Sequence, residues 1–426
     1  MGVLLVLMFI VFIAVGVPIS FALGIVSFTG IAALPGIPNM VVFTKMFNGL
    51  GSFTLLAVPL FILAANLMNE GSISDRLIKV STSLVGHVRG GLAHANVLVS
   101  MIFAGISGSS QADTAGIGKI LIPAMENEGY DKETSVGVTA ASSTLGSIIP
   151  PSITMVVFAG IANVSTGGLF MTGLLPGIML GLAQMAVIFS KRKNFPKGEG
   201  LPIAVIVHQI FSALPALITP VILIGGIVTG LFTPTEAAAI ACLYALVISM
   251  LFYRSIKVKD LPRILVETMK LSSLSLFALA TANALGELMS YYRLNEAVQG
   301  FFVSIPGGQL VFLLVVVLFF IFVGTFMDAI PAMILFVPIV LPSALTLGIH
   351  PIMLGLIVCI TLSLGLVTPP YGLCLLLAAS ISGISIERAF RGVLPYLLVS
   401  LVVLLILVAF PGFFLLIPKT LFPALY

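Results

Sequence analysis

The segment Gly105-Ile-Ser-Gly-Ser-Ser-Gln-Ala-Asp113 sets the hydroxyls of Ser107, Ser109 and Ser110 and the carboxylate of Asp113 inside an otherwise apolar stretch. At membrane depth a Gly/Ser cluster cannot face lipid, because its freed N–H and C=O groups would find no partners there. It suits the tip of a hairpin that lines a cavity, with arms near 92–105 and 111–124. If 109–113 is helical, Ser109 and Asp113 share a face. A charged carboxylate near the bilayer centre costs about 2.5–3.5 kcal/mol on insertion scales, which points to a function for Asp113. The structural alternatives are a helix N-cap or an ion pair to Lys119.

A second kind of chemistry lies in Ser142-Ser-Thr-Leu-Gly-Ser-Ile-Ile-Pro-Pro-Ser152. Pro-Pro cannot continue a helix, so a span over 134–164 must break near 146–152. The break leaves carbonyls at one half-helix end, suited to a hard cation such as Na⁺. At the other end it leaves N–H groups suited to a carboxylate. Gly324-Thr-Phe-Met-Asp328 and Ser363-Leu-Gly-Leu-Val-Thr-Pro-Pro-Tyr371 bring a second tip and a second break, with Asp328 as its carboxylate.

Enzyme chemistry fits less well. Gly105-Ile-Ser107-Gly108 matches the G-x-S-G of intramembrane serine proteases. That reaction needs a base, and His208, His350 and Lys119 are the candidates along the chain. The four histidines are scattered, no phosphate-binding glycine loop appears, and no metal or organic cofactor is expected beyond a hard cation such as Na⁺ at the breaks. We expect no enzyme.

The elements that must hold these groups are membrane elements. Only 8% of the 426 residues are charged, 59% are apolar, and mean hydropathy is +1.24. A soluble domain carries about a quarter charged residues, so the fold class is an all-α polytopic membrane protein in contact with the lipid bilayer. The net charge of +4 sits in short loops and forms no nucleic-acid patch. Lys191, Arg192, Lys193 and Lys197, and then Arg254, Lys257, Lys259 and Arg263, mark cytoplasmic loops by the positive-inside rule. Cys242, Cys359 and Cys374 read as buried apolar residues with no pairing. Tyr253, Tyr291, Tyr292 and Tyr396 are the candidates for an aromatic belt. The N-terminus is apolar until Lys45, unlike a cleaved signal, and suits a first span that starts outside.

The chain reads as N-terminal scaffold helices over 1–72, an interfacial amphipathic arm over 73–91, and half one of a transport module over 92–164 (hairpin 92–124, broken helix 134–164). Scaffold helices follow over 165–289, then a second arm over 290–308. Half two covers 309–385 (hairpin 309–342, broken helix 352–385), and a C-terminal scaffold helix covers 386–426. A shift of 219 residues superposes the halves. Gly105, Pro123, Gly129, Gly146, Pro150, Pro151, Gly173 and Pro176 fall on Gly324, Pro342, Gly348, Gly365, Pro369, Pro370, Gly392 and Pro395. Roughly one such Gly or Pro coincidence is expected by chance. Loop Glu126–Glu133 is charged where Leu345–Ile352 is not. Segment Val164–Thr172 is uncharged where Glu387, Arg388 and Arg391 stand in half two. Equivalent loops therefore face opposite compartments, so the repeats are inverted, as in secondary transporters.

At Gly105–Gly118, Ile122-Pro-Ala-Met125, Gly129-Tyr-Asp131, Thr144-Leu-Gly-Ser-Ile-Ile-Pro-Pro-Ser152, Gly230-Leu-Phe-Thr-Pro-Thr-Glu-Ala-Ala-Ala239 and Thr368-Pro-Pro-Tyr-Gly372, the sequence resembles the large membrane subunit of tripartite ATP-independent periplasmic (TRAP) transporters. The resemblance runs along essentially the whole chain. It implies Na⁺-driven import of an organic acid across the bacterial inner membrane by an elevator-type motion of the module. It also implies two partners, a separate small four-helix membrane subunit and a periplasmic substrate-binding protein. By position it assigns Ser107, Thr144, Gly146, Pro150, Gly324, Thr325, Gly365 and Thr368 to Na⁺. It assigns Ser107, Ser109, Ser110, Asp113, Ser152, Thr154 and Asp328 to substrate. The first tip is similar to the sialic-acid branch. A stand-alone carboxylate symporter or antiporter with the same inverted plan is the alternative.

Overall fold

The structure is a computed structural model that describes residues 2–51, 53–198, 200–293, 296, 300, 307–421 and 423. The first five helices are α1 (Gly2–Ala14), α2 (Ile19–Ala32), α3 (Met40–Leu50), α4 (Ala57–Glu70) and α5 (Ile73–Val85). Half one follows as a hairpin of α6 (Gly91–Ser107) and α7 (Ser110–Asn127). Its broken helix consists of α8 (Lys132–Ser143), a tighter turn at Thr144–Ser147, and α9 (Ile153–Ala162). The long helices α10 (Thr166–Ser190), α11 (Ile203–Val228), α12 (Pro234–Val247) and α13 (Leu261–Tyr291) come next. Half two repeats the plan with the hairpin α14 (Gly308–Gly324) and α15 (Ala329–Thr346), then the broken helix α16 (Pro351–Gly365) and α17 (Leu373–Ser382). The chain continues into α18 (Ile386–Ala409) and α19 (Pro411–Leu421).

The 219-residue shift lays α7 on α15 end for end, and α8 and α16 start at equivalent positions. Each hairpin leads into its broken helix through a glycine in the left-handed region, Gly129 (φ 90°) and Gly348 (φ 74°), where any side chain would be strained. Both breaks carry the cis pairs Pro150-Pro151 and Pro369-Pro370.

Contacts at the loops establish the inversion. Gly90 N–H donates to the Pro196 carbonyl (3.0 Å) and Tyr130 stacks on Phe195 (5.4 Å between centroids), so hairpin one opens beside the basic loop 191–197. Its α7–α8 loop meets the α17–α18 loop of half two. Lys132 Nζ donates to the Ser382 carbonyl (3.0 Å), Ser382 Oγ to Glu126 Oε1 (2.5 Å), and Arg388 pairs with Glu133 (2.5 Å). One broken helix therefore starts where the other ends, and the two run antiparallel. At the base of hairpin two, Gln309 Nε2 donates to the Leu347 carbonyl (2.8 Å), which ties the start of α14 to the end of α15.

Among the described residues, six helices are long and apolar enough to cross a membrane. One is α15, which pairs with α14 as a hairpin arm. The half-helices α9 and α17 have 10 residues each, about 15 Å of rise, and cannot cross alone. Outer helices present Phe47, Phe211, Val221, Leu243 and Met269 outward, as lipid contact requires. By contrast, every residue of α16 from Ile352 to Gly365 is buried.

Of the stretch 73–91, expected as an interfacial arm, α5 covers Ile73–Val85. Its start is tied to the basic loop 254–263 through Ser255 Oγ to the Gly71 carbonyl (2.8 Å) and Arg263 to Glu70 (2.6 Å). Past its end, Arg89 bridges Lys197. With both ends at the basic pole, α5 lies along that pole and does not traverse the molecule. The second arm, expected over 290–308, falls largely outside the described residues.

Two expectations are corrected. The stretch 386–426 is not one helix but α18 and α19, which meet at Phe410 and Pro411, since Pro cannot extend α18. Tyr396 is only 2% exposed and belongs to the core, not to an aromatic belt. The three cysteines are free and buried, as expected.

Candidate functional site

Four helices end and four begin at one polar centre. Helix α6 stops at Gly108, in the left-handed region (φ 63°), and α7 restarts from the extended Ser109, whose Oγ caps Ala112 N–H (3.4 Å). Ile153 N–H at the start of α9 donates to the Gly108 carbonyl (3.1 Å) and so binds the first break to the first tip. Half two does the same. Tyr371 N–H donates to the Thr325 carbonyl (3.0 Å), and Asp328 caps α15 through Ala329 N–H (2.8 Å). The tips then meet across the pseudo-twofold, where Gln111 Nε2 donates to Asp328 Oδ1 (2.8 Å).

Ser107, Ser110, Asp113, Thr144 and Gly146 come together in half one. Asp113 is fully buried and accepts a hydrogen bond from Ser107 Oγ. Its other oxygen, Oδ2, is buried with no hydrogen-bond partner. That oxygen faces the break, since a Cβ built on Gly146 would lie 2.4 Å from it. Ser110 Oγ lies 2.5 Å from Ser147 Oγ and 3.3 Å from the Thr144 carbonyl. A buried carboxylate oxygen without a donor is costly unless something pairs with it, and the Ser110–Ser147–Thr144 cluster belongs to the same tip and break.

The halves differ here. At the positions equivalent to Ser107, Ser110 and Asp113, half two carries Phe326, Ala329 and Ala332. Gly324 and Gly365 instead bring two backbones together, with Gly324 Cα 2.6 Å from where a Cβ on Gly365 would stand. The hydroxyls of Thr325 and Thr368 turn back on the helix carbonyls of Phe322 (2.7 Å) and Leu364 (2.9 Å). Pro150 holds the first break, its carbonyl 3.5 Å from the place of a Cβ on Gly105.

Ser152 and Thr154 stand beside the same break. Both hydroxyls donate to the Ser147 carbonyl (2.7 and 3.0 Å), and Ser152 also caps α9 through Met155 N–H (3.3 Å). Losing a cap and a buried hydrogen bond costs about 1–2 kcal/mol. Ser152→Ala is therefore expected to lower the thermal midpoint of the purified protein measurably, while Thr154 keeps one bond on the carbonyl.

Sequence reasoning passed over Gln111 and Ser147. The signal for both is a polar side chain at membrane depth, Gln111 within 105–113 and Ser147 within 142–152. The proteolytic arrangement is not assembled. Ser107 is fully buried and bonded to Asp113, whereas Lys119 is exposed six residues further along α7. His350 caps α16 through Ile352 N–H (3.3 Å), and His208 borders a cavity against α5.

Inverted re-entrant hairpins and broken helices that converge on such a centre define a secondary-transporter membrane subunit. The family model described as "Tripartite ATP-independent periplasmic transporter, DctM component" matches residues 6–413, and the chain belongs to this family as a large permease subunit, a multi-pass protein of the bacterial inner membrane and not an enzyme. It is 39% identical over 421 residues to the uncharacterised protein YgiK of Salmonella typhimurium, covering 98% of this chain and 97% of that one. It is 34% identical to the sialic acid TRAP transporter large permease SiaM of Vibrio cholerae (95% of each chain) and 36% identical to the C4-dicarboxylate large permease DctM of Pseudomonas aeruginosa (88% of each). Among solved structures, the Alcanivorax borkumensis YdaH transporter shares the fold at TM-score 0.61 and 14% identity, covering 87% of this chain and 88% of that one.

Proposed function

We propose that this chain is the Na⁺-driven membrane subunit of an importer for an organic acid, with sialic acid the favoured cargo. A periplasmic binding protein delivers the acid, a separate small four-helix membrane subunit completes the complex, and the module of hairpins and broken helices carries the load as an elevator against the scaffold. The observation that carries the reading is the buried Asp113 carboxylate with one oxygen unpartnered toward the break. Asp113 Oδ2, Ser107, Ser110 and the Thr144 carbonyl fit a hard cation that prefers oxygen. Neutralising Asp113 with Na⁺ removes the penalty of a lone charge at that depth.

The acid belongs to the other side of the same centre. Helices α7, α9, α15 and α17 all begin there, and helix N-termini favour anions. The named cargos of the relatives, sialic acid and C4-dicarboxylates, are carboxylates. A tip lined by Ser107, Ser109 and Ser110 suits a cargo rich in hydroxyls, which favours sialic acid over a short dicarboxylate. Each net positive charge carried inward gains about 2.3 kcal/mol per 100 mV.

The test is uptake of labelled sialic acid into proteoliposomes holding both membrane subunits, with the binding protein outside. An imposed inward Na⁺ gradient is expected to drive accumulation, and an equal K⁺ gradient to drive none. Equal uptake under both gradients would refute the coupling. Accumulation of a dicarboxylate but not of sialic acid would refute the cargo.

A further inference from the structure

A cavity of about 530 Å³ opens between α5 and the first turns of α11, well away from the hairpin tips, and Asp75, Arg76, Lys79, His208, Gln209 and Ser212 line it. We propose that it binds the phosphate headgroup of an anionic phospholipid from the cytoplasmic leaflet.

Its place in the fold fits that ligand. Helix α5 lies along the pole that carries the basic loops, which the positive-inside rule sets at the cytoplasmic surface, where anionic headgroups gather. Two fixed cations, Arg76 and Lys79, and the imidazole of His208 face one carboxylate, Asp75. The Arg76 guanidinium is held rigid, 3.9 Å above the Tyr253 ring with Nη1 on Ser212 Oγ, while its Nε is buried without a partner. Gln209 Oε1 is likewise buried and unpartnered. A phosphodiester bearing a glycerol hydroxyl answers both, since the phosphate accepts from Arg76 and the hydroxyl donates to Gln209. Beside the cavity, Val207, Phe211 and Leu214 of α11 are 44%, 68% and 43% exposed, an apolar strip on which acyl chains can lie. A free phosphate ion would use the cations and leave that strip without a role.

Native mass spectrometry of the intact transporter, stripped of lipid and titrated with dioleoyl-phosphatidylglycerol, dioleoyl-phosphatidylcholine or inorganic phosphate, tests this. One tightly held phosphatidylglycerol is expected, with affinity falling about fivefold for each basic charge removed, in Lys79→Gln and again in Arg76→Gln/Lys79→Gln. Lys79 is exposed, so its single variant reports binding even where the loss of Arg76 from the Tyr253 ring disturbs folding. Equal retention of phosphatidylcholine, or a Lys79→Gln variant that holds phosphatidylglycerol as the parent does, overturns the proposal. So does a site that takes inorganic phosphate and ignores the lipid.

Discussion

Asp113→Asn is expected to abolish Na⁺-driven uptake while leaving the fold intact. Asn matches the carboxylate in shape and keeps an oxygen to accept from Ser107, so the tip keeps its one observed bond at this side chain. What changes is charge at a fully buried position whose second oxygen has no donor. Removing one partner of a buried ion pair costs roughly 3–5 kcal/mol, which is about 10²- to 5 × 10³-fold in affinity for the cation. Uptake at ordinary Na⁺ concentrations should therefore fall by about two orders of magnitude or more. A second readout separates a lost ion site from a damaged fold. A ligand at a hundred times its Kd stabilises the folded state by about 2.7 kcal/mol. Adding Na⁺ should thus raise the thermal midpoint of the parent and not that of the variant, while both melt alike in K⁺. A variant that is still stabilised by Na⁺ would remove Asp113 from the ion site.

Much of this centre was legible because it consists of residues that interrupt helices. Gly108, Pro150-Pro151 and Pro369-Pro370 mark backbone that cannot run on, and backbone geometry is local. The inversion was legible for a related reason: the charges of loop 126–133 and of 387–391 reveal which loops meet water. Glu133 and Arg388 prove to be neighbours at a single pole. The pairing of Gln111 with Asp328 was not legible. It joins side chains 217 residues apart and depends on how one half sits on the other, which no local pattern encodes. Ser152 and Thr154 show the opposite limit. Their polarity marked them as candidates, but a hydroxyl that satisfies a freed carbonyl and one that faces a cavity look alike in sequence. The packing of α3 was not legible either, since Lys45, Asn48 and Gly49 interrupt its short apolar run. In the fold Lys45 is answered by Glu287 at 3.0 Å on α13.

The glycine pair at the second break carries the other large prediction, because its two members are not interchangeable. Gly365 and Gly324 each end a helix, α16 and α14, and face one another. Propensity alone would favour Ala at either place by about 1 kcal/mol. Space says otherwise at one of them. A Cβ on Gly365 would stand 2.6, 2.7 and 2.9 Å from Cα, C and O of Gly324, all backbone atoms that no rotamer change can move aside. A Cβ on Gly324 would meet Gly365 Cα at 3.2 Å and the Leu362 carbonyl at 3.3 Å, within reach of a shift of a few tenths of an ångström. Overpacking of the first kind costs typically 1–3 kcal/mol and exceeds the propensity gain. Gly365→Ala should push the second tip off its break, strain the Tyr371–Thr325 bond that holds them, and reduce uptake more than about tenfold with a lower thermal midpoint. Gly324→Ala should stay near the parent in both measurements. If the two variants behave alike, close contact between tip and break is not what the second half contributes. The hairpin would then be free to part from the broken helix during transport, and the two could not move as one body.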